Sequence, residues 1–277
     1  MAATKPGTLY VVATPIGNLG DLSPRAREVL AAVDAICAED TRHTQPLLTA
    51  FGIDKPLVAL HEHNEAEQAV KLVARLQAGQ TLALVSDAGT PLVSDPGYRF
   101  VREVRAAGLN VSPIPGACAA IAALSVAGIP SDRFCFEGFL PAKSSARRER
   151  LQALARETRT LVFYESSHRI EESLVDFVGV FGGEREAVVG RELTKLFETV
   201  LGDTLASILE KVRGDENQRK GEFVLIVRGC ADDQAAVLAE GKRLYAKLAE
   251  HMKPSQAAKL AAEMSGAPRK SLYGGEA

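Results

Sequence analysis

The chain of 277 residues is long enough for about two domains, and its 46% content of apolar residues is sufficient for a substantial core. Its net charge of −2 excludes a uniformly basic surface of the kind that attracts polyanions. The charge is uneven, because residues 234–277 contain seven Lys or Arg and four Glu. A basic segment at the end of an acidic chain indicates a nucleic-acid partner.

The spacing of the cysteines and the hydropathy of the sequence indicate the cellular compartment of the protein. Cys37, Cys118, Cys135 and Cys230 are far apart and include no CxxC pair, which is typical of buried, reduced thiols. No apolar run approaches the roughly 18 residues of a membrane helix. No charged segment followed by an apolar one begins the sequence. We therefore expect a soluble, cytoplasmic protein.

The first half of the chain alternates between predicted strands and helices, which indicates a doubly wound α/β domain over residues 1–140. Ser23 and Pro24 form a typical N-cap and N1 pair at the start of the first helix. Apolar strands, as expected in a mostly parallel sheet covered on both faces, are predicted at 9–13, 35–38, 57–60, 81–85, 111–114 and 134–136.

Two later helices of this half carry specific expectations. The helix after strand 57–60 is expected to bury Ala66, Val70, Val73 and Leu76 and to end at Gly79. The sequence PGACAAIAALSVAG, at 115–128, predicts a helix of small residues that can approach a sheet closely.

A basic segment at 143–159 marks the expected border of a second, mixed α/β domain, which we place at residues 141–232. Its strands are predicted at 161–164, 187–190 and 223–227, and its helices at 171–181 and 205–212. Residues 233–277 are predicted to form a helical tail with helices at 234–252 and 255–264. The break at Gly266 and Pro268 suggests a helix-turn-helix.

Two loops rich in glycine and proline follow predicted parallel strands, where open α/β sheets bind their ligands. They are ATPIGNLGD at 13–21 and SDAGTPLVSDPG at 86–97. Loops that cradle phosphate usually add a lysine, whereas these two contain none, and the second carries Asp87 and Asp95. This chemistry favours a ligand with hydroxyls, a base and a positive centre, such as S-adenosylmethionine. The alternative is a pair of turns capped by Asp and Ser.

A dinucleotide-binding loop is a second alternative for the first of these loops. Gly17 and Gly20, with Glu39 about 20 residues further on, imitate part of that pattern. One required glycine is missing and Pro15 stiffens the turn, which disfavours a nicotinamide cofactor.

Eight motifs occur in a fixed order between about Leu9 and Gly229: ATPIGNLGD, AEDTRHT, SDAGTPLVSDPG, PGACAAIAALSVAGIP, FEGFLP, FYESSHRI, RELTKLFE and KGEFVLIV. Together they resemble the ribosomal RNA small subunit methyltransferase I family, a branch of the tetrapyrrole methylase superfamily. The resemblance implies a two-domain, homodimeric α/β methylase with S-adenosylmethionine in a cleft between domains. It also implies methylation of a cytidine ribose 2′-hydroxyl in the decoding region of 16S rRNA, within a 30S particle.

The resemblance also implies a set of cofactor contacts. These are Pro15, Ala88, Gly89, Thr90, Val93, Cys118, Ala119, Glu165, Leu193 and Thr194. Tetrapyrrole-methylating relatives commonly carry an Asp at the position of Thr90, and their first loop has the form G-x-G-P-G-D. Both departures argue against a tetrapyrrole substrate. Cys118 stands where a Ser is usual in the closer family, which leaves this contact with a weaker hydrogen-bonding group.

Methyl transfer to a hydroxyl also calls for a proton acceptor, and the resemblance names none. The candidates are acids and imidazoles near strand ends: Glu39, Asp40, His43, His61, Glu62, His63, Glu165, His168 and Glu192. We expect Asp40 and Glu165 to lie nearest the chemistry. His61 and His63 share a face of an extended strand, but two ligands do not make a zinc site, so we expect no metal.

Cations that flank these acids, together with a basic run at the domain border, are the expected RNA contacts. They are Arg42, Arg147, Arg148, Arg169, Arg191 and Lys195. The alternative is that they form ion pairs or a solvated helix face. The low aromatic content of 5% excludes a stacking platform for bases. Two rival functions remain: a small-molecule tetrapyrrole methylase, and a non-enzymatic RNA-binding protein.

Overall fold

The computed structural model describes residues 7–231 and 234–272. These residues form two units: one runs through Ala155 and includes Arg159–Arg228, and the other comprises Arg156–Thr158 with the segment from Gly229 onward. The first unit contains two five-stranded sheets, and the second contains helices. Residues 232, 233 and 273–277, at the borders of the predicted tail, lie outside the described residues.

The first sheet is parallel throughout. Its strands are β1 (Thr8–Val12), β2 (Ala35–Ala38), β3 (Leu57–Ala59), β4 (Leu82–Val85) and β5 (Asn110–Ile114). The strand order is β3-β2-β4-β1-β5. Every residue of β2 and β4 is buried, as their unbroken apolar sequences predict. Because β1 lies beside β4, the loops that follow these two strands are neighbours at the carboxyl edge of the sheet.

Helices cover both faces of this sheet, which confirms the predicted doubly wound arrangement. They are α1 (Pro24–Ala32), α2 (Thr41–Ala50), α3 (Glu65–Gln77) and α4 (Tyr98–Ala106). Side chains of α1 and α2 join the core on one face, and those of α3 and α4 join the core on the other. The Ser23 hydroxyl accepts the N–H of Ala26, so the predicted N-cap of α1 is confirmed.

The prediction for the buried face of α3 is confirmed at Leu76 and in part at Val73, which packs on the core, and is wrong at Ala66 and Val70. Ala69, Leu72 and Leu76 are buried, whereas Val70 is 71% exposed. The helix carries more apolar residues than one face can bury. Its packing against neighbouring elements therefore determines which row of residues is buried. Glu65 belongs to the buried stripe because its Oε1 accepts the N–H of Phe100 in α4 at 2.9 Å.

The second sheet is mixed. Its strands are β6 (Phe134–Phe139), β7 (Thr160–Ser166), β8 (Glu186–Arg191), β9 (Thr199–Thr204) and β10 (Glu222–Val227). The order is β6-β7-β10-β8-β9, and only the β6–β7 pair is parallel. Helices α6 (Ser144–Leu154), α7 (Ile170–Phe181) and α8 (Leu205–Gly214) share the core on one face. The small-residue helix α5 (Ala119–Ala127) packs on the other face.

Two strand assignments differ from the sequence analysis. The strand predicted at 134–136 was expected to close the first half, but it is part of β6 and pairs with β7 of the second sheet. Strand β9 was not predicted, because its sequence TVLGDT mixes polar and apolar residues without a buried face. The predicted domain border at 140/141 stays a prediction.

The tail contains α9 (Gln234–Ala249), α10 (Pro254–Ser265) and α11 (Arg269–Leu272). Gly266 ends α10 with a φ of +75°, as the predicted break requires. Ala261, Ala267 and Leu272 form a small core of their own. Across the described part of the chain, no helix is both long and apolar enough to span a bilayer.

Candidate functional site

The loops that follow β1 and β4 are joined by two backbone hydrogen bonds. The N–H of Thr14 donates to the carbonyl of Gly89 at 2.9 Å, and the N–H of Gly89 donates to the carbonyl of Thr14 at 3.2 Å. Gly89 has a φ of +79°, and a Cβ there would lie 3.1 Å from Ile16 Cγ2. The position requires glycine for its backbone angle and for its close approach to Ile16.

A cavity of 320 Å³ lies between these loops and the second sheet. This volume falls within the range of roughly 300–1,000 Å³ that is typical of small-molecule sites. Eight residues predicted to contact a cofactor line it: Ala88, Gly89, Thr90, Val93, Cys118, Ala119, Glu165 and Leu193. The other two, Pro15 and Thr194, are adjacent in sequence to the lining residues Ile16 and Leu193.

Acidic groups give the cavity wall a negative character. Asp87 and Asp95 both line it. Burial raises the pKa of Asp95 and the nearby Asp87 raises it further, while a hydrogen bond from Ser86 acts in the opposite direction. Burial also raises the pKa of Glu39, with added repulsion from the neighbouring aspartates. A positively charged ligand would relieve this crowding of carboxylates.

The cavity also contains a lysine that the two loops themselves do not supply. Lys195 lines the wall, and its Nζ lies 2.9 Å from Glu192 Oε1 and 2.9 Å from Glu222 Oε2. Its stem passes over the first loop at Gly17, where any Cβ would collide with it. Two carboxylates offset the lysine charge, so the site keeps its preference for a cation.

Backbone strain is concentrated in the two segments that flank the cavity. Leu92 and Ser94 have φ values of 72° and 67°, and Glu192 and Thr194 have values of 49° and 66°. Non-glycine residues rarely adopt such angles except where surrounding structure enforces them, often at binding sites. The Thr194 hydroxyl is buried and has no hydrogen-bond partner among the residues that the structure describes. An unsatisfied group of this kind beside a cavity fits a contact with a bound ligand.

The aromatic part of the wall was not predicted from the sequence. Tyr164 of β7 lines the cavity, and its hydroxyl accepts the N–H of Ala120 at 3.2 Å. The rings of Phe136 and Phe139 contact it edge-on, with centroids 4.9 and 5.5 Å away. Burial raises the pKa of Tyr164, so the hydroxyl stays protonated. The FYE motif pointed to Glu165 next to it, but only strand pairing shows which of these side chains meet the cavity.

Glu165 lines the cavity with both carboxylate oxygens already engaged. Its Oε1 accepts hydrogen bonds from the backbone of Ser166 and from Nε and Nη2 of Arg169, at 2.7–2.9 Å. Its Oε2 accepts the Ser173 hydroxyl at 2.5 Å. This bonding favours a role in holding the wall over a role as proton acceptor.

Asp40 is the N-cap of α2 and is not among the lining residues. Its carboxylate accepts the N–H of Arg42 at 2.8 Å and binds the Arg42 guanidinium through both oxygens. These bonds hold the pKa of Asp40 well below its ordinary value. A carboxylate so stabilised is a weak base. Its connection to the cavity is indirect, through a hydrogen bond from its backbone N–H to Asp87 Oδ1 at 3.1 Å.

Two of the predicted RNA contacts must be corrected. The Arg147 side chain is 1% exposed, and its guanidinium binds Asp176 at 2.7 Å and the carbonyl of Ala142. Arg191 is also buried, and its guanidinium donates to the carbonyls of Lys220 and Phe197 at 2.7 and 2.8 Å. Both groups are therefore part of the protein interior and cannot reach a phosphate.

The other predicted RNA contacts differ in their solvent exposure and in whether they form ion pairs. The Arg42 side chain is 87% exposed, and Arg148 also lies on the surface. Arg169 and Lys195 are 22% and 27% exposed, and they form ion pairs with the wall carboxylates of Glu165 and Glu222, respectively. Within the described ranges, no group of three or more His, Cys, Asp or Glu side chains is arranged to hold a metal ion.

Known proteins with similar sequences identify the family to which this chain is related. A family model described as Tetrapyrrole (Corrin/Porphyrin) Methylases matches residues 8–209, and one described as RsmI C-terminal HTH domain matches residues 235–274. A protein from Xylella fastidiosa (strain Temecula1) named Ribosomal RNA small subunit methyltransferase I is 65% identical over 270 residues, covering 98% of this chain and 99% of that protein. A protein of the same name from Escherichia coli O157:H7 is 56% identical, covering 96% and 93%.

The fold has counterparts among solved structures. The uroporphyrin-III-C-methyltransferase of Thermus thermophilus superposes with a TM-score of 0.56 and 22% identity, covering 80% of this chain and 94% of that one. At this level of identity the likeness concerns the fold, and it confirms the predicted tetrapyrrole-methylase-like architecture.

Proposed function

Since the chain belongs to the ribosomal RNA small subunit methyltransferase I family, within the tetrapyrrole methylases, we propose that it transfers a methyl group from S-adenosylmethionine to a cytidine ribose 2′-hydroxyl of 16S rRNA. The target nucleotide lies in the decoding region, and the substrate is the RNA within a 30S particle. The enzyme acts as a homodimer in the cytoplasm, where these particles are found.

The observation that carries the proposal is the acidic cavity at the carboxyl edge of the parallel sheet. Its features fit S-adenosylmethionine, which brings a methyl group on a positively charged sulfur and has an amino group, a base and ribose hydroxyls. Asp87 and Asp95 offset positive charge and the Gly89 backbone permits close approach. The unpartnered Thr194 hydroxyl, next in sequence to the lining residue Leu193, offers a hydrogen bond. The apolar ring of Phe139, which is 55% exposed, lines one side of the cavity.

Catalysis by this site depends mainly on alignment. Fixing donor and acceptor in line supplies up to about 7–11 kcal/mol of the barrier. The strained segments at 92–94 and 192–194 are suited to this task, because such backbone angles persist only where the surrounding structure enforces them. Glu165 with Arg169, and Asp40 with Arg42, serve as positioning pairs beside the acceptor.

RNA binding uses the cations that remain available on the surface. Arg42, Arg148, Arg169 and Lys195 provide phosphate contacts on the body of the enzyme. The basic tail adds a second binding region, in agreement with the helix-turn-helix family model that matches residues 235–274.

The direct test uses 30S particles from a strain that lacks this protein. Purified protein and S-adenosylmethionine with a labelled methyl group are incubated with the particles, and the labelled rRNA is then digested with alkali. A ribose methyl group removes the attacking hydroxyl, so the label is expected in an alkali-resistant dinucleotide that contains cytidine. Label on a base, or labelling of a tetrapyrrole in preference to rRNA, would refute the proposal.

A further inference from the structure

His43 and Asp87 form a hydrogen-bonded pair at the rim of the cavity. His43 lies in the first turn of α2, and its Nδ1 is 2.9 Å from Asp87 Oδ2. Asp87 is itself a lining residue, and its Oδ1 accepts the backbone N–H of Asp40 at 3.1 Å. The pair therefore joins the ends of adjacent strands β2 and β4 at the edge where the cavity opens.

The carboxylate orients the imidazole ring. A carboxylate oxygen accepts hydrogen bonds and cannot donate, so Nδ1 of His43 must carry the proton. In the neutral ring, Nε2 is then the acceptor, and it lies on the side opposite Asp87. The His43 side chain is 70% exposed, so a substrate hydroxyl can reach this nitrogen. A histidine oriented by a carboxylate in this way is a common general base.

We propose that His43, oriented by Asp87, accepts the proton of the ribose 2′-hydroxyl during methyl transfer. The inference rests on the proposed function and adds to it the residue that takes up the proton. It replaces Asp40 and Glu165 in that role, because protein donors already engage both carboxylates.

The step is balanced in atoms and charge. The ribose oxygen gains the methyl carbon, the carbon–sulfur bond breaks with its electron pair left on sulfur, and the hydroxyl proton passes to Nε2 of His43. One positive charge is lost at sulfur and one appears on the imidazole. Asp87, 2.9 Å from Nδ1, stabilises the imidazolium that forms.

The charges around His43 determine the direction in which its pKa is shifted. The hydrogen bond to Asp87 and the charge of Asp87 raise the pKa of His43, Asp40 raises it further, and Arg42 opposes them. Glu39 is also within electrostatic reach of the ring. Below this raised pKa the imidazole is protonated and cannot accept a proton, so the rate should fall as the pH drops through it. Replacing Asp87 with Asn should shift that fall to lower pH.

The experiment combines proton NMR of the histidine rings with single-turnover methylation of 30S particles. In the protein without substrate, the His43 resonance should titrate above the ordinary value of about 6.5, and Asp87→Asn should lower its midpoint. His43→Gln should reduce the single-turnover rate constant by about 100-fold or more, and this variant should lose the acid-side fall in rate. Its affinities for S-adenosylmethionine and for the particle should stay within about twofold of the wild-type values.

His63→Gln is the matched control, because His63 is an exposed histidine at the same edge of the sheet, and it should behave as the wild type. A His43→Gln variant that keeps the wild-type rate and acid limb would overturn the proposal. So would a loss of rate matched by an equal loss of particle affinity, since His43 would then be a binding residue. If the wild type itself places no methyl group on ribose, the proposed function fails first and the assignment of His43 fails with it.

Discussion

At the scale of single residues, Gly89 shows most directly how the sequence determines the site, because the position requires both its positive φ and its lack of a Cβ. Its carbonyl and N–H bind Thr14, which joins the two loops, and its α-carbon faces Ile16 at the cavity. A side chain at this position would strain the backbone and push Ile16 into the space for the ligand.

We expect Gly89→Ala to weaken S-adenosylmethionine binding by about tenfold or more, and calorimetry measures this directly. Gly128→Ala is the matched control, since Gly128 has a similar φ of +65° and a Cβ added there would meet nothing within 4 Å. Both variants should lose about 1–2 kcal/mol of stability from the backbone angle. Equal cofactor affinity in the two variants would contradict a ligand site at Gly89.

Asp40 and Glu165 should affect turnover as positioning residues. We expect Asp40→Asn and Glu165→Gln to lower kcat by at least about tenfold while the dissociation constant of S-adenosylmethionine changes little. Glu165→Gln should also reduce the free energy of unfolding by about 1.5–3 kcal/mol, because it weakens charged hydrogen bonds to Arg169 and Ser173. Because neither residue is the base, both variants should retain the acid-side fall in rate.

Asp203→Asn is the control for Asp40→Asn. Asp203 is likewise a carboxylate at a helix start, with its pKa held below the ordinary value. The backbone N–H of Asp40 donates to the lining residue Asp87, whereas the Asp203 carboxylate accepts from Ser207 and Lys211, which do not line the cavity. Wild-type kcat in all three variants would show that the ion pairs near the site are purely structural.

Much of the cavity lining could be predicted from sequence motifs, but the environment of each side chain could not. Eight of ten predicted contact residues line the cavity. Six of them follow strands of the parallel sheet, whose loops meet at one edge, and Glu165 and Leu193 come from the second sheet. The aromatic wall at Tyr164 depends on the pairing of strands β6 and β7, and the engagement of Glu165 depends on the turn after β7, which brings Arg169 back to it. The burial of Arg147 likewise depends on a partner, Asp176, 29 residues away along the chain.

At the scale of elements, strands β2 and β4 and the start of α1 were predictable because each has a strong local signal: an unbroken apolar run or an N-cap followed by Pro. The buried stripe of α3 was predicted only in part and the edge strand β9 was not predicted, since their patterns allow more than one solution. Helix α2 was also missed. It carries Pro46 in its interior, although its N-cap, Asp40, is a valid start signal.

We expect the buried ion pair between Arg147 and Asp176 to stabilise the packing of helix α6 against α7. We expect Arg147→Met to destabilise the protein by about 3–5 kcal/mol in urea unfolding, because it leaves a buried carboxylate without its partner. Arg148→Met, one position along the same helix and exposed, should change stability by less than about 0.5 kcal/mol. It should instead weaken particle binding. If Arg147→Met instead left stability unchanged and weakened particle binding, Arg147 would again be the expected RNA contact.

At the scale of the whole molecule, the residues that line the cavity all belong to the unit with the two sheets, and the basic tail belongs to the helical unit. Lys253, Lys259, Arg269 and Lys270 are exposed and cluster around the α10–α11 segment. Each phosphate that such a cation neutralises adds about 0.7–0.9 to the slope of log affinity against log salt. Cofactor binding and the salt dependence of RNA binding should therefore be separable by mutation.

We expect replacement of all four cations by Gln, in the full chain, to weaken rRNA binding and to flatten the salt dependence, with S-adenosylmethionine affinity unchanged. A variant with Lys253, Lys259 and Lys270 replaced by Arg keeps the charge and should keep the slope, which separates charge from helix packing. Filter binding over a range of salt concentrations gives the slopes, and sedimentation reports the assembly state. If the Gln variant becomes monomeric yet retains the wild-type slope, the tail serves assembly of the enzyme and does not contact the RNA backbone.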